Sequence, residues 1–374
     1  MFVRPPAEIG MAEQDVDTPA LIIDLDVFEA NLAHMAETVR SLGIAHRPHA
    51  KTHKSADIAR RQVAAGAVGQ CCQKVGEAEV LVAGGVQDIL VSNQIVGQRK
   101  IDRLAALARE ARIAVCVDDA QNVADLSAAA RRFGTELDVL VEIDIGAERC
   151  GTMPGAPAVT LAQQVAAAPS LTFAGLQAYQ GRAQHIRGHG ERRQAILHAA
   201  KLVRETVAAL EAAGLACRLV TGAGTGTYPF EAETGVWNEI QAGSYCFMDA
   251  DYQLNLDADG EQDATFRQSL FVLATVMSRP TRDRAVTDAG LKAASVDSGL
   301  PRPAGLEDVT YVGASDEHGT LTLGPRAPEL ALGQKLRLVP GHCDPTVNLH
   351  DWYVGIRNGT VETIWPVGAR GAGF

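Results

Sequence analysis

The chain has 374 residues, of which 47% are hydrophobic and 21% charged, and 45 acidic against 34 basic side chains give a formal net charge of −11. That is enough apolar mass for a large core and excludes a mostly disordered chain. An acidic balance without basic clusters argues against nucleic acid and anionic membrane as partners.

The first ten residues hold no apolar run of the signal-peptide kind, and no stretch of 18 apolar residues follows, so a cytoplasmic protein with no membrane span is expected. Seven cysteines, an odd number set mostly in apolar runs, read as reduced thiols and not as a disulfide framework. The length suits two domains, or one barrel of about 250 residues with a smaller module.

In chain order, a strand is expected at 19–24 and a helix at 26–41. Eight strand candidates follow at 44–48, 69–73, 88–92, 113–117, 137–143, 172–178, 216–221 and 238–241. The stretches between them carry helical periodicity, as at 100–111 and 191–213. Eight strands alternating with helices favour a (β/α)8 barrel, although an open doubly wound sheet would give the same alternation. After residue 264 the texture changes to successive strand-like runs at 269–276, 320–323, 335–339 and 352–356, punctuated by His318-Gly319 and Asn358-Gly359. The expected division is a barrel over 26–260 and a β-rich domain built from 261–374 with 1–25.

A barrel carries its chemistry at the C-terminal ends of its strands. The first ends in His49-Ala50-Lys51-Thr52-His53, which in extended backbone puts His49, Lys51 and His53 on one face. A solvated basic loop is the plain alternative. The strand-end position, with neighbouring cations expected to lower the pKa of Lys51, favours a nucleophilic amine. Thr221-Gly222-Ala223-Gly224-Thr225-Gly226 and Gln241-Ala242-Gly243-Ser244 follow strands seven and eight, the usual phosphate site of such barrels. Arg149, between glycine-containing turns, suits a carboxylate or phenolate. Tyr179 ends the sixth strand and His185 follows it. In the β-rich part, a strand through His342-Cys343-Asp344 would place His342 and Asp344 on one face, fit for a divalent ion or for a simple His–Asp hydrogen bond.

Together these segments resemble fold-type III pyridoxal-phosphate enzymes of the D-threonine aldolase and D-serine dehydratase-like family. The matching stretches are Arg47-Pro48-His49-Ala50-Lys51-Thr52-His53-Lys54, Cys71-Cys72-Gln73-Lys74-Val75, Glu148-Arg149-Cys150-Gly151, Gln177-Ala178-Tyr179, Thr221 to Gly226, Gln241 to Tyr245 and His342-Cys343-Asp344-Pro345-Thr346. The resemblance runs from Thr18 to Gly371, in the family's order.

It implies an alanine-racemase-like barrel with pyridoxal 5'-phosphate joined covalently to Lys51. The cofactor would lie among Gln73, Arg149, Tyr179, Thr221, Gly224, Thr225, Gln241, Gly243, Ser244 and Tyr245, with Gln241 at the pyridine nitrogen. His185, Tyr179 and Arg149 would join Lys51 in catalysis, and His342 and Asp344 would hold Mg²⁺ or Mn²⁺. A homodimer acting on a small 3-hydroxy amino acid is also implied.

The expected reaction is retro-aldol cleavage of 3-hydroxy-D-aspartate to glycine and glyoxylate, with the stretch Val296-Asp297-Ser298-Gly299-Leu300-Pro301 and residues 342–367 as the motive. Arg302, His49 and His53 are the candidate partners of the extra carboxylate. The rivals are a D-threonine aldolase, a D-serine or 3-hydroxyaspartate dehydratase, and a pyridoxal-phosphate carrier without turnover.

Overall fold

The computed structural model describes residues 4–374. Strand β1 (Ala20–Asp24) runs directly into helix α1 (Leu25–Leu42). Asp24 Oδ1 accepts from the Val27 N–H at the start of α1, and Gly43 closes its end in the left-handed conformation, φ 66°. The cap contributes about 1 kcal/mol. The eight strands that follow are β2 (Ala45–His46), β3 (Gln70–Cys72), β4 (Asp88–Gln94), β5 (Arg112–Val117), β6 (Leu137–Glu142), β7 (Leu171–Ala178), β8 (Leu219–Gly222) and β9 (Glu239–Ile240).

Each of β3 to β8 pairs in parallel with the next, and β9 pairs in parallel with β2. A parallel bridge between His49 and Cys71 closes the ring, with the Cys71 N–H donating to Pro48 O at 2.9 Å. The sheet is therefore a barrel and not an open doubly wound sheet. Strand β2 is shorter than expected because Pro48 has no N–H to offer the ladder.

The pleat sorts the barrel side chains. Ile89, Val91, Val115, Val117, Val139, Val141, Leu176 and Ala178 face outward into the apolar layer under the helices. Cys71, Leu90, Cys116 and Leu140 point inward and form a small core of their own. Continuing the inward alternation up β4, β6 and β7 brings Ser92, Glu142 and Gln177 to the C-terminal mouth. The barrel interior thus turns polar where a ligand would enter.

The remaining strands are β10 (Leu270–Thr281), β11 (Arg284–Thr287), β12 (Arg302–Pro303), β13 (Val309–Ala314), β14 (Gly319–Leu323), β15 (Lys335–Val339), β16 (Trp352–Arg357) and β17 (Thr360–Pro366). Strand β1 lies in this sheet, antiparallel to β10 and parallel to β16. The four expected runs are all strands. Strands β11, β12, β13 and β17 escaped the sequence reading because they are short or carry exposed residues at alternate positions. All seven cysteines are free, and no helix among the described residues is long and apolar enough to cross a membrane.

Candidate active site

A cavity of about 280 Å³ opens at the barrel mouth. Lys51 reaches it from a 3₁₀ turn, Ala50–Thr52, that follows β2, and the backbone N–H of Lys51 donates to His49 Nδ1 at 3.2 Å. Burial pushes Lys51 down, but the Asp344 carboxylate, 2.5 Å away, outweighs it and holds the ammonium well above its ordinary value. The expectation that neighbouring cations lower Lys51 is therefore corrected. Burial brings His53 down to about 4, and burial with the Lys51 charge holds His49 well below its ordinary value. Neither histidine is a cation at neutral pH. Asp344, which burial alone would raise, is held low by the Lys51 charge.

Gly224, Thr225, Gly243 and Ser244 line the same cavity. Ala223 sits in the left-handed region, φ 66°, between Gly222 and Gly224. A Cβ on Gly224 would fall 2.4 Å from Gln184 Oε1, and one on Gly243 would fall 2.7 Å from His49 O. Thr225 Oγ1 is buried between these loops and has no hydrogen-bond partner. An orphan hydroxyl flanked by bare backbone fits a phosphate, so the residues present suit pyridoxal phosphate, with its phosphate here and Lys51 within the same cavity. Beneath the loop, Glu231 Oε1 accepts from Thr227 Oγ1 at 2.8 Å while Oε2 has no partner. Burial pushes Glu231 up to about 8, so this carboxyl is neutral at pH 7.

The Gln241 amide donates to Gln177 Oε1 at 2.7 Å and to Thr221 Oγ1 at 2.9 Å. Thr221 in turn donates to Glu239 Oε1 at 2.8 Å, and Glu239 is paired with Arg47. Thr221 therefore does not line the cavity itself but orients Gln241, which does. Gln73, Arg149 and Tyr179 also line it. Arg149 stands 5.7 Å above the Tyr179 ring and makes no ion pair among the described residues.

Several expected residues lie elsewhere. The Tyr245 side chain turns away from the cavity, accepting from Gln62 Nε2 at 3.3 Å and packing on His46 and Phe266. Arg302 is exposed on β12 and does not line the cavity. His185 does not line it either. Its ring lies 6.2 Å from that of Tyr252, which does, and its Nδ1 is 2.7 Å from Asp251 Oδ2. Arg187 holds the other Asp251 oxygen.

His342 and Asp344 are not on a strand. His342 caps the short helix Cys343–Val347, because the chain leaves β15 at Val339 and turns through Pro340 and Gly341. Asp249 Oδ2 receives the Cys343 N–H at 2.9 Å and fixes that turn. No group of three or more His, Cys, Asp or Glu side chains among the described residues is arranged to hold a metal ion. One imidazole and one carboxylate suit only an open site completed by waters or substrate, as hard divalent cations accept. Sequence reasoning missed Tyr252, Asp249 and Asp251. Ser92 and Gln177 were recoverable from the strand alternation.

The family model for the alanine racemase N-terminal domain matches residues 23–251, and the one for a putative serine dehydratase domain matches 269–356. A 3-hydroxy-D-aspartate aldolase of Paracoccus denitrificans (strain Pd 1222) is 52% identical over 373 residues, covering 99% of this chain and 96% of the relative. A D-threonine aldolase of Arthrobacter sp. is 49% identical over 367 residues, covering 98% of this chain and 96% of the relative. The crystal structure of D-threonine aldolase from Filomicrobium marinum matches with a TM-score of 0.96 at 50% identity, covering 100% of both chains. The chain belongs to the alanine-racemase-like, fold-type III pyridoxal-phosphate family, in the group that joins this barrel to a serine-dehydratase-type β domain, and it is an enzyme of that family, a lyase of the aldolase type.

Proposed function

We propose that the protein cleaves 3-hydroxy-D-aspartate to glycine and glyoxylate, with pyridoxal phosphate on Lys51 and a divalent cation, Mg²⁺ or Mn²⁺, on His342 and Asp344. The observation that carries the reading is that Lys51 and the orphan Thr225 hydroxyl line one cavity, with Asp344, which is not itself in the lining, held against the Lys51 ammonium. Pyridoxal phosphate, when bound, supplies an electron sink for the pair released at Cα as the Cα–Cβ bond breaks. The cation supplies Lewis-acid polarisation of the substrate hydroxyl.

The protein's own groups do the rest. Gly224, Thr225, Gly243 and Ser244 bind the phosphate through N–H and hydroxyl donors. Gln241, a neutral amide held by Gln177 and Thr221, orients the ring without placing a full charge beside its nitrogen. His185, tethered through Nδ1 to Asp251, takes the hydroxyl proton at Nε2. Tyr179 covers the lysine side of the cavity. Arg149 offers a cation to an anionic oxygen, and with Arg302 exposed and the two histidines neutral it is the cavity's other cation beside Lys51. The reading pairs Arg149 with the second carboxylate of the substrate, a group that D-threonine lacks. The reading includes a homodimer, which sedimentation would show.

The test is kcat/KM for 3-hydroxy-D-aspartate and D-threonine under one metal, with product analysis. Glyoxylate and glycine with a preference for the first substrate are expected. A preference for D-threonine would overturn the substrate, and ammonia with an oxo acid would make the enzyme a dehydratase. A verified metal-free preparation should be inactive; full activity in that state would remove the cation from the reading.

A further inference from the structure

Two loops of the β-rich part meet at His342. Its Nδ1 lies 2.8 Å from Asp297 Oδ2. The same carboxylate accepts from the Ser298 hydroxyl at 3.2 Å and, on its other oxygen, from the Ser295 hydroxyl at 2.7 Å. The loops are locked together by backbone contacts as well. Thr346 Oγ1 accepts from the Ser295 N–H at 3.1 Å and donates to His342 O at 2.8 Å. Gly341 passes so close to Gly299 that a Cβ would fall 2.0 Å from the Gly299 carbonyl oxygen. Gly341 is therefore required by that approach, and Gly299, whose own Cβ would meet nothing, is required by its φ of 124°.

We propose that Asp297 is a positioning residue that holds His342 by Nδ1–H and so presents the Nε2 lone pair to the divalent cation. The inference rests on the reading of His342 and Asp344 as the cation's ligands. An imidazole that donates from one nitrogen must accept or coordinate with the other. A carboxylate at that donor fixes the tautomer and ring plane and makes the coordinating nitrogen more basic. Asp297, half exposed, accepts from the Ser295 and Ser298 hydroxyls, which turn its carboxylate toward the ring.

The test uses the cofactor-loaded enzyme stripped of metal and titrated with Mn²⁺ alone, with free ion followed by electron paramagnetic resonance. Asp297→Asn should bind Mn²⁺ about 10–100-fold more weakly, with cofactor absorbance and melting temperature near those of the parent. Asp297→Glu should recover part of the loss. His342→Ala and Asp344→Asn should abolish binding at this site. If His342→Ala binds Mn²⁺ like the parent, the ligand reading itself fails. If His342→Ala loses the ion and Asp297→Asn does not weaken it, the positioning role is overturned. Loss in Asp297→Asn as complete as in His342→Ala would make Asp297 a ligand and also overturn that role. Ring ¹⁵N shifts of metal-free enzyme give a second readout: His342 should be in the Nδ1–H tautomer in the parent and mixed in Asp297→Asn.

Discussion

Lys51 Nζ lies 2.5 Å from Asp344 Oδ2, although 293 residues separate them in the chain. One comes from the barrel and the other from the β-rich part, so the site exists only where the two meet. Asp344→Asn should keep covalent capture of pyridoxal phosphate at Lys51, shown by borohydride reduction and peptide mapping, while turnover falls by roughly 10²-fold or more. A borohydride-fixed peptide without Lys51 would remove the lysine from its role.

His185 stands at the rim and depends on Asp251 for its orientation. His185→Ala should retain cofactor and lose about 10²–10⁴-fold in kcat, the usual contribution of a general base. Asp251→Ala should leave His185 free to swing and cost roughly 10²-fold. Stopped-flow turnover with cofactor absorbance as control checks both, and near-parental kcat in His185→Ala would sink the assignment.

At Gly243 the added methyl of an alanine would meet His49 O at 2.7 Å and Thr52 Oγ1 at 2.8 Å. The backbone carbonyl cannot swing aside as a flexible side chain can. Gly243→Ala should therefore displace the loop and weaken pyridoxal phosphate binding by at least roughly 10-fold, about 1.4 kcal/mol. Fluorescence titration of the apoenzyme measures it, and unchanged affinity would argue that the phosphate lies elsewhere.

Glu231 gives a pH prediction. Its folded-state value of about 8 lies above the unfolded value near 4.5, so the folded protein binds the extra proton between them. Stability from this group is complete below the unfolded value and is lost as pH rises toward about 8. Glu231→Gln removes that loss, and its melting temperature should fall less than the parent's between pH 5 and 9. Parallel curves for the two proteins would contradict the neutral, buried carboxyl.

The sequence exposed the barrel because its strands alternate so regularly with helices, and it pointed to Lys51, which lines the cavity at the barrel mouth, because strand ends are where barrels keep their chemistry. It could not expose the charge state of Lys51, since the partner that decides it lies 293 residues away. His49 and His53 counted as cations on paper because burial is not written in the chain. Tyr245 follows Ser244 directly, yet points to the opposite side. The 3₁₀ turn Ser244–Cys246 rotates successive side chains by about 120°. Tyr252, Asp249 and Asp251 lie in an irregular stretch with no periodicity to mark a face. Asp297 was visible only as part of a matching stretch, and its geometry gives that stretch a task.

Strand β1 also sets a timetable for synthesis. Its neighbours in the sheet, β10 and β16, begin at Leu270 and Trp352. A ribosome adding roughly 5–20 residues each second needs tens of seconds to deliver them. Throughout that interval the apolar run Leu21-Ile22-Ile23, buried in the finished protein, has no strand to pair with. The nascent chain therefore carries an unpaired adhesive segment while the barrel forms behind it. Co-expression of a chaperone that covers such a segment should therefore raise the soluble yield of this protein.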